Sequence, residues 1–168
     1  FDEPHDRGGA RWSAVGALRT RAGIHLPDRA SARRILTALI EAAGTVYVID
    51  DDPSVRRALE RQLRTAGFRV EIFESAQQYM ARAPQAVIAC IVSDVRMPGM
   101  SGLDLQASLA QSGRGLPMVF ITGHGDIPMS VQAMKAGAVD FLPKPVKDKV
   151  LLNAIQQALE RAAWERAE

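Results

Sequence analysis

The sequence predicts a doubly wound α/β domain on a five-stranded parallel sheet, and three observations carry that expectation. Strand-like apolar runs alternate five times with stretches of helical period between residues 45 and 162. Val87 to Val92 is continuously apolar and rich in β-branched residues, which suits a strand covered on both faces. The crossovers between strands are short, as strand–helix–strand units require.

Taken in order, the chain opens with a leader, residues 1–44, expected to be partly disordered. Residues 1–28 lack periodicity and are rich in Gly, Arg and Ala. Residues 29–43 do read as a helix, with Ile35, Leu36, Leu39 and Ile40 on one stripe beside Arg33 and Arg34. Such a helix serves either as loose cover or as a docking or dimerising arm. The globular domain is expected over 45–162. TVYVI (45–49) is its first strand, ending in Asp50, Asp51, Asp52 and Pro53. Asp52 and Pro53 read as an N-cap with proline at the first helical position. Val55, Leu59, Leu63 and Ala66 then mark a helix stopped by Gly67. RVEIF (69–73) alternates like a strand nearer the sheet edge, and Ser75 with Gln78 forms a capping box for a short helix to about Ala83.

After the apolar third strand come Ser93 and Asp94, a turn containing Pro98 and Gly99, and a helix over 102–111. LPMVFIT (116–122) is the fourth strand, and a helix runs from about Ile127 to Ala136. VDFL (139–142) is a short fifth strand. A last helix starts near Lys147, with Val150, Leu151, Ala154, Ile155, Ala158 and Leu159 at helical spacing. Residues 163–168 are its end or the start of a linker.

Composition bounds the function. The chain of 168 residues is 47% hydrophobic and 24% charged, the profile of an ordinary soluble domain with a real core. No apolar stretch reaches membrane-spanning length and no signal peptide is visible, so no membrane partner and a cytoplasmic location are expected. A single cysteine, Cys90, lies inside the apolar run and fits a buried thiol in a reducing compartment. Net charge is +2, and the first 44 residues account for it with seven Arg, no Lys and five acidic residues. Residues 45–168 balance fourteen basic against fourteen acidic groups, so no nucleic-acid footprint is expected.

Four strand ends carry polar residues: Asp50 and Asp51, Asp94, Thr122, and Lys144. In a parallel sheet these ends share one edge, and with strand order 2-1-3-4-5 the first and third strands are neighbours. Three carboxylates then meet, and their repulsion calls for a cation. Mg²⁺ is the expected one, since it takes one or two carboxylates and keeps positions for water and phosphate oxygens. Lys144 adds a mobile positive charge and Thr122 a hydroxyl donor. A carboxylate nucleophile with a metal, a lysine and a hydroxyl suits phosphoryl transfer to Asp94.

VYVIDDDPSVR, VSDVRMPGMSG, VFITGHGD and DFLPKP together resemble the receiver (CheY-like) domain of bacterial two-component response regulators, most closely the FixJ-like transcriptional regulators. The resemblance covers residues 45–162. It implies the flavodoxin-like (βα)5 fold, Asp94 as phosphoacceptor, and Asp51 as direct Mg²⁺ ligand with Asp50 more often acting through water. The backbone carbonyl of Arg96 completes the implied ligands. Thr122 and Phe141 match the family's switch pair, Lys144 its invariant lysine, and the Lys144–Pro145 bond is implied to be cis. His124 matches a position that tunes dephosphorylation, or is a plain loop residue. His5 and His25 have no metal-ligand spacing and no histidine sits in a phosphodonor context, so a sensor histidine kinase is expected to act in trans. Phosphorylation-dependent homodimerisation through the fourth core helix and fifth strand is the expected output. Met129 and Met134 on that helix are either core or an adaptable partner surface. Regulators of this kind carry a helix-turn-helix module after the receiver; DNA binding is not expected of the residues present.

Rival readings are an aspartate-nucleophile phosphatase, a flavin or nucleotide module on the same fold, and a pseudo-receiver that only binds partners. The first holds its two acids after one strand, whereas here they follow different strands. The second needs a glycine-rich cradle where this chain has three aspartates. The third does not need a complete acceptor set.

Overall fold

The computed structural model describes residues 18–20, 23–25, 28–123 and 127–167. Two short strands, β1 (Leu18–Thr20) and β2 (Gly23–His25), pair antiparallel in a small sheet of their own. Three-residue strands are too short to show a period, so nothing in the sequence signals them. His5 and His124, and most of the leader before Asp28, lie outside the described residues.

Helix α1 (Arg29–Ala43) forms where expected, capped by Asp28, whose carboxylate accepts from the Ser31 N–H at 2.6 Å. Its buried face is Ala32, Leu36 and Ile40; Leu39 is 48% exposed and Ile35 only half-buried. The stripe is narrower than the sequence implied because α1 packs along one main neighbour, α6 (Asp148–Ala167), and a single partner covers only a narrow seam. Gly44 alone separates α1 from the first core strand.

The main sheet contains β3 (Thr45–Ile49), β4 (Arg69–Phe73), β5 (Ala89–Asp94), β6 (Met118–Thr122) and β7 (Asp140–Pro143). All pairs are parallel and the order is β4-β3-β5-β6-β7, the expected 2-1-3-4-5. β3, β5 and β6 are buried at every residue, while β4 and β7 at the edges are only partly buried. β6 begins at Met118 rather than Leu116. The Pro117 carbonyl accepts from the Ile91 N–H at 2.9 Å, but proline has no N–H to return. β5 likewise begins at Ala89, two residues inside the apolar run.

Helices α2 (Pro53–Thr65) and α6 join α1 on one face of the sheet; α3 (Ala76–Ala81), α4 (Gly102–Gln111) and α5 (Ile127–Lys135) cover the other. Asp52 caps α2 through the Ser54 N–H at 2.8 Å. Gly67, at φ 97°, ends it, with the Phe68 N–H donating to the Leu63 carbonyl at 3.1 Å. Arg56, Leu59 and Leu63 are buried, whereas Ala66 is exposed at the cap. The Ser75 box closes only halfway. Ser75 accepts from the Gln78 N–H, but Gln78 reaches back to the Glu74 N–H at 2.7 Å instead. A full box forms at Ser101 and Asp104. α6 runs to Ala167, so residues 163–167 form its end, where Ala163 and Trp164 continue its packed seam; Val150 is exposed. No helix among the described residues is long and apolar enough to cross a membrane.

Candidate functional site

Most of the buried polar side chains among the described residues gather at the carboxyl edge of the sheet. Register sets this up: Ile49 pairs with Ser93, Asp94 with Ile121, and Thr122 with Pro143. The residues that follow β3, end β5 and β6, and follow β7 are therefore level. Asp50 is fully buried, Asp94 and Thr122 nearly so, and Asp51 is exposed. Carboxylate oxygens of Asp50, Asp51 and Asp94 lie within 4.8 Å of one another.

Lys144 bridges two of the three. Its Nζ donates to Asp50 Oδ2 at 2.9 Å and to Asp94 Oδ2 at 3.0 Å. The remaining oxygens are held by backbone: Asp50 Oδ1 accepts from the Asp52 N–H at 2.9 Å, and Asp94 Oδ1 from the Arg96 N–H at 3.2 Å. Burial pushes the Asp50 carboxyl above its ordinary range, with the Lys144 and Asp52 hydrogen bonds pulling back and the Asp94 charge adding to the rise. Burial alone would lower Lys144; its hydrogen bonds to Asp50 and Asp94 outweigh that and leave its pKa raised. The lysine is thus held charged between two acids.

Supporting contacts fix the frame. Arg56 Nη1 donates to the Asp50 carbonyl at 2.8 Å from the buried face of α2. Ser93 Oγ donates to the Asp94 carbonyl at 2.8 Å. Gly102 sits so close to the Asp94 carbonyl and the Phe120 ring that a side chain would collide with both; its N–H donates to the Val95 carbonyl at 2.9 Å and closes the loop. The Lys144 N–H donates to the Thr122 carbonyl at 2.8 Å, and the Lys144–Pro145 bond is cis. Phe141 is half-buried, its ring 6.2 Å from that of Phe120.

Every site residue named from the sequence that falls among the described residues lies in or beside this edge. Arg56 and Ser93 were missed. Arg56 shares the Leu59–Leu63 stripe, which was its only signal, and Ser93 had none beyond its place before Asp94. The donor set tests well against a hard divalent cation: three carboxylates of graded exposure offer only oxygen, and one lysine leaves them under-neutralised.

A parallel doubly wound sheet with acids, a hydroxyl and a lysine at its carboxyl edge defines a CheY-like receiver module. The chain belongs to the response regulator receiver domain family, which it matches over residues 46–156. It is 42% identical over 161 residues to the response regulator protein TodT of Pseudomonas putida strain F1, covering 94% of this chain and 65% of TodT. That match is longer than the receiver and extends into residues before it. To the transcriptional regulatory protein FixJ of Rhizobium meliloti it is 46% identical over 116 residues, 69% of this chain and 57% of FixJ. The structure of the response regulator StyR superposes with a TM-score of 0.70 at 52% identity, covering 74% of this chain and 63% of that one. The chain therefore spans between about half and two thirds of these relatives' length.

Proposed function

We propose that this chain is a phosphoacceptor switch in which Asp94 takes a phosphoryl group from a sensor histidine kinase acting in trans. The observation that carries the reading is the meeting of Asp94 with Asp50, Asp51 and Lys144 at the mouth of β5. Asp94 is anchored through Oδ1 by the Arg96 N–H, which leaves Oδ2 as the attacking atom once Lys144 turns aside. The new bond is Oδ2–P; the bond broken joins phosphorus to the donor's imidazole nitrogen, which leaves with the electron pair.

Asp50, Asp51, Asp94 and the Arg96 carbonyl are the residues that would hold Mg²⁺. Bound there, the ion would offset the charge of the approaching phosphoryl oxygens. Lys144 then exchanges a carboxylate partner for a phosphate oxygen, a pairing available only after transfer. Thr122 donates to a second oxygen, and Phe141 fills the space it vacates. The protein turns over no outside substrate. Its output face is α5, β7 and α6, where Ile127 is 79% exposed and Val131, Met134 and Val150 are also exposed. Met129 by contrast packs against the core, so the two methionines divide between core and surface. Pairing of that face with a second copy is the proposed response, with residues 45–162 as the receiver, 163–168 as the end of its last helix or the start of a linker, and the cytoplasm as its setting.

The test is acetyl phosphate with Mg²⁺, read by phosphate-affinity electrophoresis. One phosphoryl group is expected, absent after chelation and absent in Asp94→Asn, whose amide is a poor nucleophile. Full labelling of the Asn variant sinks the assignment.

A further inference from the structure

The opposite edge of the sheet, where the chain enters β5 and β6, holds a polar feature that phosphoryl transfer does not use. A cavity of about 220 Å³ opens there, lined by Tyr47, Tyr79, Arg82 and Arg114 with Pro84 and Leu116. The tyrosines are core residues, 3% and 5% exposed. Their rings lie 5.4 Å apart, and each packs edge-on to Phe73, at 6.1 and 5.3 Å. A tyrosine this buried ordinarily gives its hydroxyl a partner. Among the described residues neither hydroxyl has a protein hydrogen-bond partner. No buried side-chain nitrogen or oxygen is unsatisfied either, so both oxygens are reached from the cavity they line. Burial pushes the Tyr79 pKa up to about 12, so its hydroxyl stays a donor through the neutral range.

The two arginines differ in charge balance. Arg82 is paired twice to Glu71, at 2.9 and 2.6 Å, and lies 5.2 Å over the Tyr47 ring. Its charge is answered. Arg114 donates to the carbonyls of Met80 and Arg82, at 3.2 and 2.9 Å, and no carboxylate pairs with it among the described residues. Neutral carbonyls hold its fork in place without cancelling its charge, and N–H donors remain. The cavity therefore presents aromatic walls, two hydroxyls and one uncompensated positive charge. A dry cavity of roughly 150 Å³ suffices for benzene, so this one has room for one ring and a small polar head.

We propose that this cavity binds a small organic anion with one flat apolar ring, of the arylcarboxylate class. The ring lies against Tyr47, Pro84 and Leu116, and the carboxylate meets Arg114 and the tyrosine hydroxyls.

The test is a titration of the full chain with sodium benzoate, followed by amide resonances. Saturable shifts are expected at residues 79–85 and 113–116, with a dissociation constant on the order of 1 mM, ordinary for a one-ring ligand. The double variant Tyr47→Phe with Tyr79→Phe keeps the rings and the core packing, and should weaken binding at least about tenfold. Benzyl alcohol, the neutral counterpart, should bind at least about tenfold more weakly than benzoate. Absence of saturable shifts, shifts centred on Asp94, or equal binding by the double variant or by benzyl alcohol overturns the proposal.

Discussion

The two faces of the sheet are built from different materials. Under α1, α2 and α6 the core is aliphatic: Leu36, Ile40, Val46, Val48, Leu63, Ile155 and Leu159 are typical. Under α3, α4 and α5 it is aromatic and thioether-rich, with Tyr47, Phe73, Tyr79, Phe120, Met97 and Met118, and with Phe141 and Met129 half-buried at its margin. Branched aliphatics interlock in few rotamers and close tightly. Rings and methionines slide and reorient at smaller cost. The proposed switch residue stands on the second face, and so do the more exposed apolar side chains of α5. The difference teaches that one face stores stability and the other stores alternatives.

Substitution tests this division directly. Leu159→Ala on the aliphatic face should cost about 2–5 kcal/mol in urea unfolding, as cavity-forming changes do. Phe141→Leu on the other face should cost less than about 1.5 kcal/mol, yet abolish phosphorylation-dependent dimerisation in sedimentation. Equal losses from the two, or a Leu variant that still dimerises, would end the distinction. Ile40→Ala sharpens it by asking whether α1 belongs to the aliphatic core. As Ile40 is fully buried, about 2–3 kcal/mol should go; a change within about 0.5 kcal/mol would make α1 mere cover. Arg56→Met keeps the packing of α2 but strips the donor from the Asp50 carbonyl. About 1–3 kcal/mol is expected from the same denaturation curves, and a neutral result would mean that water replaces the guanidinium. The smallest effect joins both faces at their shared edge. Mg²⁺ at tenfold its dissociation constant should add about 1.4 kcal/mol, and Asp51→Asn should remove most of that gain.

Much of this was legible beforehand because period, caps and turn residues agreed. Asp52–Pro53 and Gly67 bounded α2 through local backbone chemistry, which neighbours in sequence decide. The level strand ends of Asp50, Asp94, Thr122 and Lys144 followed from parallel register, which the apolar runs announced. What depended on distant partners was not legible. Leu39 looked buried, but α1 meets mainly one helix, and whether residues after 162 end α6 or start a linker depended on α1 lying beside it. Gln78 went to the Glu74 N–H, a choice between two donors one residue apart that no spacing rule resolves. That Lys144 spans Asp50 and Asp94 together depends on side-chain reach, not on pattern.

Cys90 gives the fold a clock. The chain's single thiol is fully buried in β5, a strand flanked on both sides, and burial pushes its pKa up. A thiol reagent in solution therefore has nothing to attack until α2 and α6 lift from that face of the sheet. Such lifting breaks the aliphatic core and is a global event rather than a local fray. The rate of Cys90 modification should then count openings of that core, at native conditions and without denaturant. In the limit of slow chemistry it should return the same free energy as the urea curves.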